Sequence, residues 1–178
     1  MKPNPVIKVD FKDFLFEGKF GGIKTGQTKK FITKNFSTPD DESDMGNDIS
    51  IWRFGNIELH FDKEILFLIW CDNLPYIKST KAIKLDKTLL TSLLKLDLSN
   101  AQKILNKQID SKIYNYSVKF DIDLKTAIIK IKSSGVCLHF ESQDVMEYIK
   151  GKLTNFNHFK LIAFGLSDKK YDTFDRNF

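Results

Sequence analysis

Two histidines sit in matching frames, Leu59-His60-Phe61-Asp62 and Leu138-His139-Phe140-Glu141, with Glu58 just before the first and Glu141 just after the second. Two imidazoles and two carboxylates on one surface would suit general acid–base hydrolysis of RNA, one group removing a proton and another returning it near neutral pH. That chemistry requires the two strands to pair. The plain alternative is that both rings lie on the wet side of alternating strands, and nothing in the spacing brings them together. The chain is accordingly read as a non-enzyme, with no catalytic, cofactor-binding or metal-binding residue. His158 adds nothing specific. Cys71 and Cys137 fall in different predicted strands without metal-ligand spacing, so each is expected as a reduced, buried thiol.

Gly18, Gly21, Gly22 and Gly26 lie among lysines, as in loops that cradle phosphate. The order is wrong for one: Lys24 and Thr25 precede the last glycine, and no Gly-Lys-[Ser/Thr] follows a strand. From Asp40 to Asp48 the chain reads Asp-Asp-Glu-Ser-Asp-Met-Gly-Asn-Asp. Alternating acids suggest a calcium loop, but the glycine and bidentate Glu of an EF-hand are missing from their offsets. Within a chain of net charge +5 the run is a local reversal of sign. It reads either as a solvated connecting loop or as an anionic finger aimed at a cationic partner surface. On the second reading the partner-binding residues are Asp40, Asp41, Glu42, Asp44 and Asp48.

The elements that must position these groups follow from hydrophobic period. Ile57, Leu59 and Phe61 alternate with Glu58, His60 and Asp62, the pattern of a strand with one wet face, and the chain turns at Asp62-Lys63-Glu64. Ile65 to Cys71 is apolar at every position, too short to span a membrane, and reads as a central strand covered on both faces. Val6 to Phe16 fits an edge strand or a short helix. Thr28 caps a helix that places Ile32 and Phe36 one turn apart and ends by Pro39. Asp86 caps a second, through Leu96, with Leu89, Leu90, Leu93 and Leu94 in its stripe. Ser99 with Gln102 forms a capping box for a third, burying Ala101, Ile104, Leu105 and Ile109. Ile113 to Phe120, Thr126 to Lys132 and Gly135 to Glu141 then make an antiparallel meander. Ser142 is expected to cap a helix from Asp144 to Leu153, and a last strand runs from Phe159 to Phe164.

The fold class is therefore α+β, an antiparallel sheet with short helices packed on one face, or two similar helix-plus-hairpin (αββ) lobes if the Leu-His-Phe-[Asp/Glu] motif marks a repeat. At 178 residues the chain is long enough for one domain with a real core, or for two lobes, 1–78 and 79–178. Only Arg53 and Arg176 among the 28 basic residues are arginine, a bias that weakens any reading of phosphate recognition. The basic residues are scattered and form no aromatic-basic stripe, so a nucleic-acid-binding module is the lesser alternative. No run is long enough for a signal peptide or membrane span, which points to the cytoplasm.

Gly26-Gln27-Thr28-Lys29-Lys30-Phe31-Ile32, then Pro39 and Ile51-Trp52-Arg53-Phe54-Gly55, is similar to the helix-plus-sheet module of SmpA/OmlA-type envelope lipoproteins; what this implies is local fold, since the lipidated Cys is missing. The whole chain resembles the small Lys- and Asn-rich immunity proteins encoded beside bacterial contact-dependent or polymorphic toxins. Several of these use Trp-x-[Tyr/Phe]-Gly-[Asn/Asp]-Ile-Glu-x-x-Phe strands like Trp52 to Phe61. That resemblance implies a cytoplasmic binding protein with no cofactor, whose partner is the C-terminal domain of a cognate toxin, often a nuclease with a cationic cleft.

Overall fold

A computed structural model describes residues 5–86, 88–94, 97–108, 116–121, 123–142, 147–150, 152–154 and 158–172. The chain is α+β, built on an eight-stranded antiparallel sheet. Eight strands make it up: β2 (Asp41–Gly46), β3 (Ile49–Phe54), β4 (Ile57–Asp62), β5 (Ile65–Cys71), β7 (Tyr116–Asp121), β8 (Thr126–Ile131), β9 (Cys137–Ser142) and β12 (Phe159–Ser167). Their order across the sheet is β2-β3-β4-β5-β12-β9-β8-β7. Two more, β1 (Ile7–Asp10) and β6 (Ile83–Asp86), pair in parallel, Ile7 opposite Ile83 and Asp10 opposite Asp86. A small hairpin joins β10 (Tyr148–Ile149) to β11 (Lys152–Leu153).

Among the described residues four short α-helices complete the fold, and each start has a local cause. Asp10 Oδ1 accepts from Lys12 N at 2.7 Å to open α1 (Phe11–Glu17). Thr28 Oγ1 accepts from Phe31 N at 3.1 Å to open α2 (Lys29–Asn35). Asp86 Oδ1 accepts from Thr88 N at 3.0 Å at α3 (Thr88–Leu94), and Asp97 Oδ1 from Asn100 N at 2.8 Å at α4 (Leu98–Gln108). Each bond satisfies an amide that the helix leaves open. At its far end α1 turns off through Gly18, whose φ of 67° is left-handed. Its last free carbonyls accept from the β8–β9 turn: Ser134 Oγ to Leu15 O at 2.6 Å and Ser133 Oγ to Phe16 O at 2.9 Å.

The element order repeats. One strand, two helices and four sheet strands run β1, α1, α2, β2 to β5; the same series returns as β6, α3, α4, β7, β8, β9, β12, with the small hairpin inserted before the last strand. In each half the four sheet strands step from an edge to the centre. The Leu-His-Phe-[Asp/Glu] motif occupies the third of them both times, and the capping aspartates Asp10 and Asp86 stand opposite each other. Both halves contribute to one sheet.

Core residues line one face of that sheet. Leu59, Phe61, Leu66, Ile69, Leu138, Phe140, Ile129 and Phe164 are wholly buried, and Ile32, Phe14, Leu90, Ala101 and Leu105 of the helices pack against them. Phe164 is the meeting point, its ring 5.0 Å from Phe14 and 5.6 Å from Phe11.

Several expectations are corrected. The acidic run is no loop: Asp41–Gly46 is an edge strand paired with β3. β5 is central, yet only one of its faces is fully covered. Phe67, Leu68 and Trp70 keep part of their surface, and the extra residue Phe67, opposite the His60/Phe61 step, lets both Leu66 and Ile69 point inward. Val6 to Phe16 holds both a strand and a helix. The third helix is capped by Asp97, two residues before the expected Ser99: the helix starts at Leu98, so Ser99 already lies in its first turn and the Asp97 carboxylate takes the open amide of Asn100. No helix covers the described part of Asp144 to Leu153. Tyr148 and Ile149 are good strand formers, Lys150 takes a left-handed φ of 51°, and a tight hairpin results. Ser142 is instead the buried last residue of β9. β12 runs three residues past Phe164, and β6 was not foreseen. Residues 113–115, Leu96 and Ile109 lie outside the described residues, as do the side chains of Leu93 and Leu94. No helix among the described residues is long and apolar enough to cross a membrane.

Candidate functional site

The five acids assigned to partner binding fall on one sheet edge, and most are held. Asp40 Oδ2 accepts from Gly55 N at 2.8 Å, fixing the β3–β4 turn. Asp41 and Ser43 point to the outer face, the one away from the helices, where Arg53 Nη1 reaches each at 2.7 Å. Arg53 Nε also donates to Glu58 at 3.0 Å, and the other Glu58 oxygen meets His60 Nε2 at 2.8 Å. Glu42 points the opposite way, to Lys29 Nζ at 3.1 Å. That ammonium also lies 5.5 Å from the Trp52 ring centre and 5.4 Å from that of Phe61, which locks the side chain over the core. Asp44 accepts from Gly46 N at 2.9 Å inside a bulge, and Asp48 holds a left-handed φ of 64° in the turn that follows. Surface pairs of this kind add little stability, but they order the carboxylates on a strand whose other edge is open among the described residues.

The histidines do not meet. β5 and β12 stand between β4 and β9, so His60 and His139 lie three strand spacings, roughly 14 Å, apart across the sheet, and their rows meet β12 at Ser167 and Ala163, a further offset along the strands. Glu58 reaches His60, whereas Glu141 makes no bond to His139. Among the described residues no group of three or more His, Cys, Asp or Glu is arranged to hold a metal.

His139 instead lines something the sequence did not reveal. A cavity of about 200 Å³ opens on the outer face at the sheet centre, bounded by Phe67, Leu68, Trp70, Ile128, Cys137 and His139, with Gly165 beneath. A Cβ on Gly165 would lie 2.8 Å from the Trp70 ring, so the missing side chain is what lets the indole lie across β12. His139 meets that indole edge-on, ring centres 5.0 Å apart. Tyr171 closes one end: its ring stacks 4.5 Å from Phe67 and its hydroxyl donates to Asp62. Asp172 closes another, bound at 2.7 Å to Lys130, a lysine with a tenth of its side chain exposed. Cys137 is half-buried in this wall, where full burial was expected. Burial pushes the Cys71 thiol up to about 11, which keeps it inert. The signals for the cavity were an apolar run without alternation and a glycine within the last strand, yet only strand order turns them into a site.

Burial also pushes His139 down to about 4, so the ring is neutral at pH 7. In the unfolded chain it titrates near 6.5. As pH falls from about 6.5 toward 4, the unfolded chain takes up a proton that the fold refuses, and stability is lost across that window. Unfolding free energies from urea titrations at pH 7 and pH 4.5 should therefore differ less in His139→Gln than in the parent, by about 2 kcal/mol. An identical pH dependence in both chains would mean that the ring is protonated in the fold.

No family model, curated protein or solved structure matches the chain.

Proposed function

We propose that this chain is an immunity protein, a cytoplasmic binding protein that neutralises a cognate bacterial toxin domain, a nuclease, by covering its active site or substrate-binding surface. One observation carries the reading: the acidic run is a strand of fixed geometry, stapled by Arg53 and Lys29, on the open edge of a large sheet. Ordered carboxylates spaced along a strand can stand in for a phosphate backbone in a cationic cleft, and complementary charge speeds encounter and selects one partner. No catalytic group, cofactor or metal enters this mechanism.

The test is co-expression with the product of the adjacent upstream gene. A stable complex and survival of the cells are expected. The isosteric set Asp41→Asn, Glu42→Gln, Asp44→Asn and Asp48→Asn should slow association roughly 10- to 100-fold at low salt and flatten its ionic-strength dependence, measured by stopped flow. Unchanged association by that variant would move the interface elsewhere; no complex and no protection would end the reading.

A further inference from the structure

We propose that the outer-face cavity beside Trp70 and His139 is a socket for a single tyrosine side chain of the protein partner, its hydroxyl bonded to the His139 imidazole. The inference rests on the partner-binding reading and adds a second anchor to it. Size selects the ligand first. About 200 Å³ is below the range of small-molecule pockets, roughly 300–1,000 Å³, and suits one ring with one polar atom. The walls select its character: Trp70, Leu68, Ile128, Phe67 and Tyr171 offer aromatic and aliphatic surface. Asp172 is already paired with Lys130, so the socket favours a neutral group.

His139 supplies direction. Its imidazole makes no hydrogen bond to any described residue, although it is largely buried against Trp70, and a neutral ring offers one donor and one acceptor. Its ring nitrogens stay within reach of solvent at the cavity mouth, and a hydroxyl entering the cavity can take the place of that water. The floor is rigid because β5 and β12 are the two central strands, and bare Gly165 gives it depth. Rigid, desolvated sockets for tyrosine are what binding hot spots are made of.

Position favours a protein over a free small molecule. Asp41, Arg53, Glu58, Trp70, Gly165 and Cys137 are successive register partners across the sheet. Asp41 of the acidic edge and the socket therefore lie in one outward-facing row, three strand spacings or roughly 14 Å apart, well within the footprint of a standard protein interface.

The probe is p-cresol, the side chain of tyrosine alone, titrated into a Trp52→Phe background where Trp70 is the remaining indole. A saturable change in Trp70 emission and in the His139 ring resonances is expected, with a Kd of about 1 mM for so few atoms. Toluene should bind at least fivefold more weakly in the parent, and His139→Leu should abolish that preference. Gly165→Ala, which pushes the indole, should remove the response; if it fails to fold, Leu68→Lys tests the same wall. No saturable response overturns the proposal. So does equal binding of toluene and p-cresol, or a response confined to a chain ending at Asp172, which would make residues 173–178 the occupant. Because no toxin is present, a negative result here with intact cell protection overturns the socket and leaves the immunity reading standing, while cresol binding without any toxin complex removes the immunity reading and with it the toxin as the source of the tyrosine.

Discussion

Phe164→Ala is expected to destabilise the fold by about 4 kcal/mol, read from urea denaturation at constant m-value. The ring is wholly buried in β12, opposite Cys71 on one side and Leu138 on the other, and the aromatic rings of Phe11, Phe14 and Phe20 close over it. Truncation removes the surface on which α1 docks and leaves a cavity that strands on both sides prevent from collapsing. Domains of this size are stable by only about 5–15 kcal/mol, so the variant should melt well below the parent. Phe164→Leu keeps most of the volume and should cost about 1.5 kcal/mol or less. Similar losses for the two variants would mean that α1 does not depend on this ring.

Asp172→Ala is the second large effect, about 3 kcal/mol, and its origin is electrostatic. Lys130 and Asp172 meet at 2.7 Å with side-chain exposures of 10% and 15%. Removing the carboxylate takes the bonded counter-charge from an ammonium that is nine-tenths covered, and that penalty exceeds what the intact pair gains over an apolar replacement. The double variant Lys130→Met with Asp172→Leu should recover most of the loss, giving a coupling energy of about 2 kcal/mol in a double-mutant cycle. If the single and double variants are equally unstable, Lys130 reaches solvent when its partner is gone and the pair is only a surface contact.

Period and capping were legible in the sequence because both are local. The alternation through Ile57 to Asp62 and Val136 to Phe140 set strand and inward face correctly, and Thr28 and Asp86 marked helix starts. Asp41 to Gly46 was not legible as a strand. Aspartate and glycine are poor strand formers, and what holds them is the ladder to β3 together with Arg53, which no local pattern encodes. The central site was hidden for a related reason. Trp70, His139 and Gly165 are far apart in the chain, and only the insertion of β12 between β5 and β9 makes them neighbours. The repeated Leu-His-Phe-[Asp/Glu] motif was visible, but its meaning is equivalent placement in two halves, with no contact between the histidines.

That insertion also bears on how the molecule is made. β12 follows every strand it joins, so while the chain is still emerging from the ribosome β5 and β9 each present an unzipped edge with nothing to close it. The seam forms only after synthesis has passed Ser167, by a long-range pairing that is slow to find. A nonsense codon before Phe159 would therefore yield two unjoined half-sheets prone to aggregate or be degraded, and no trimmed but working protein.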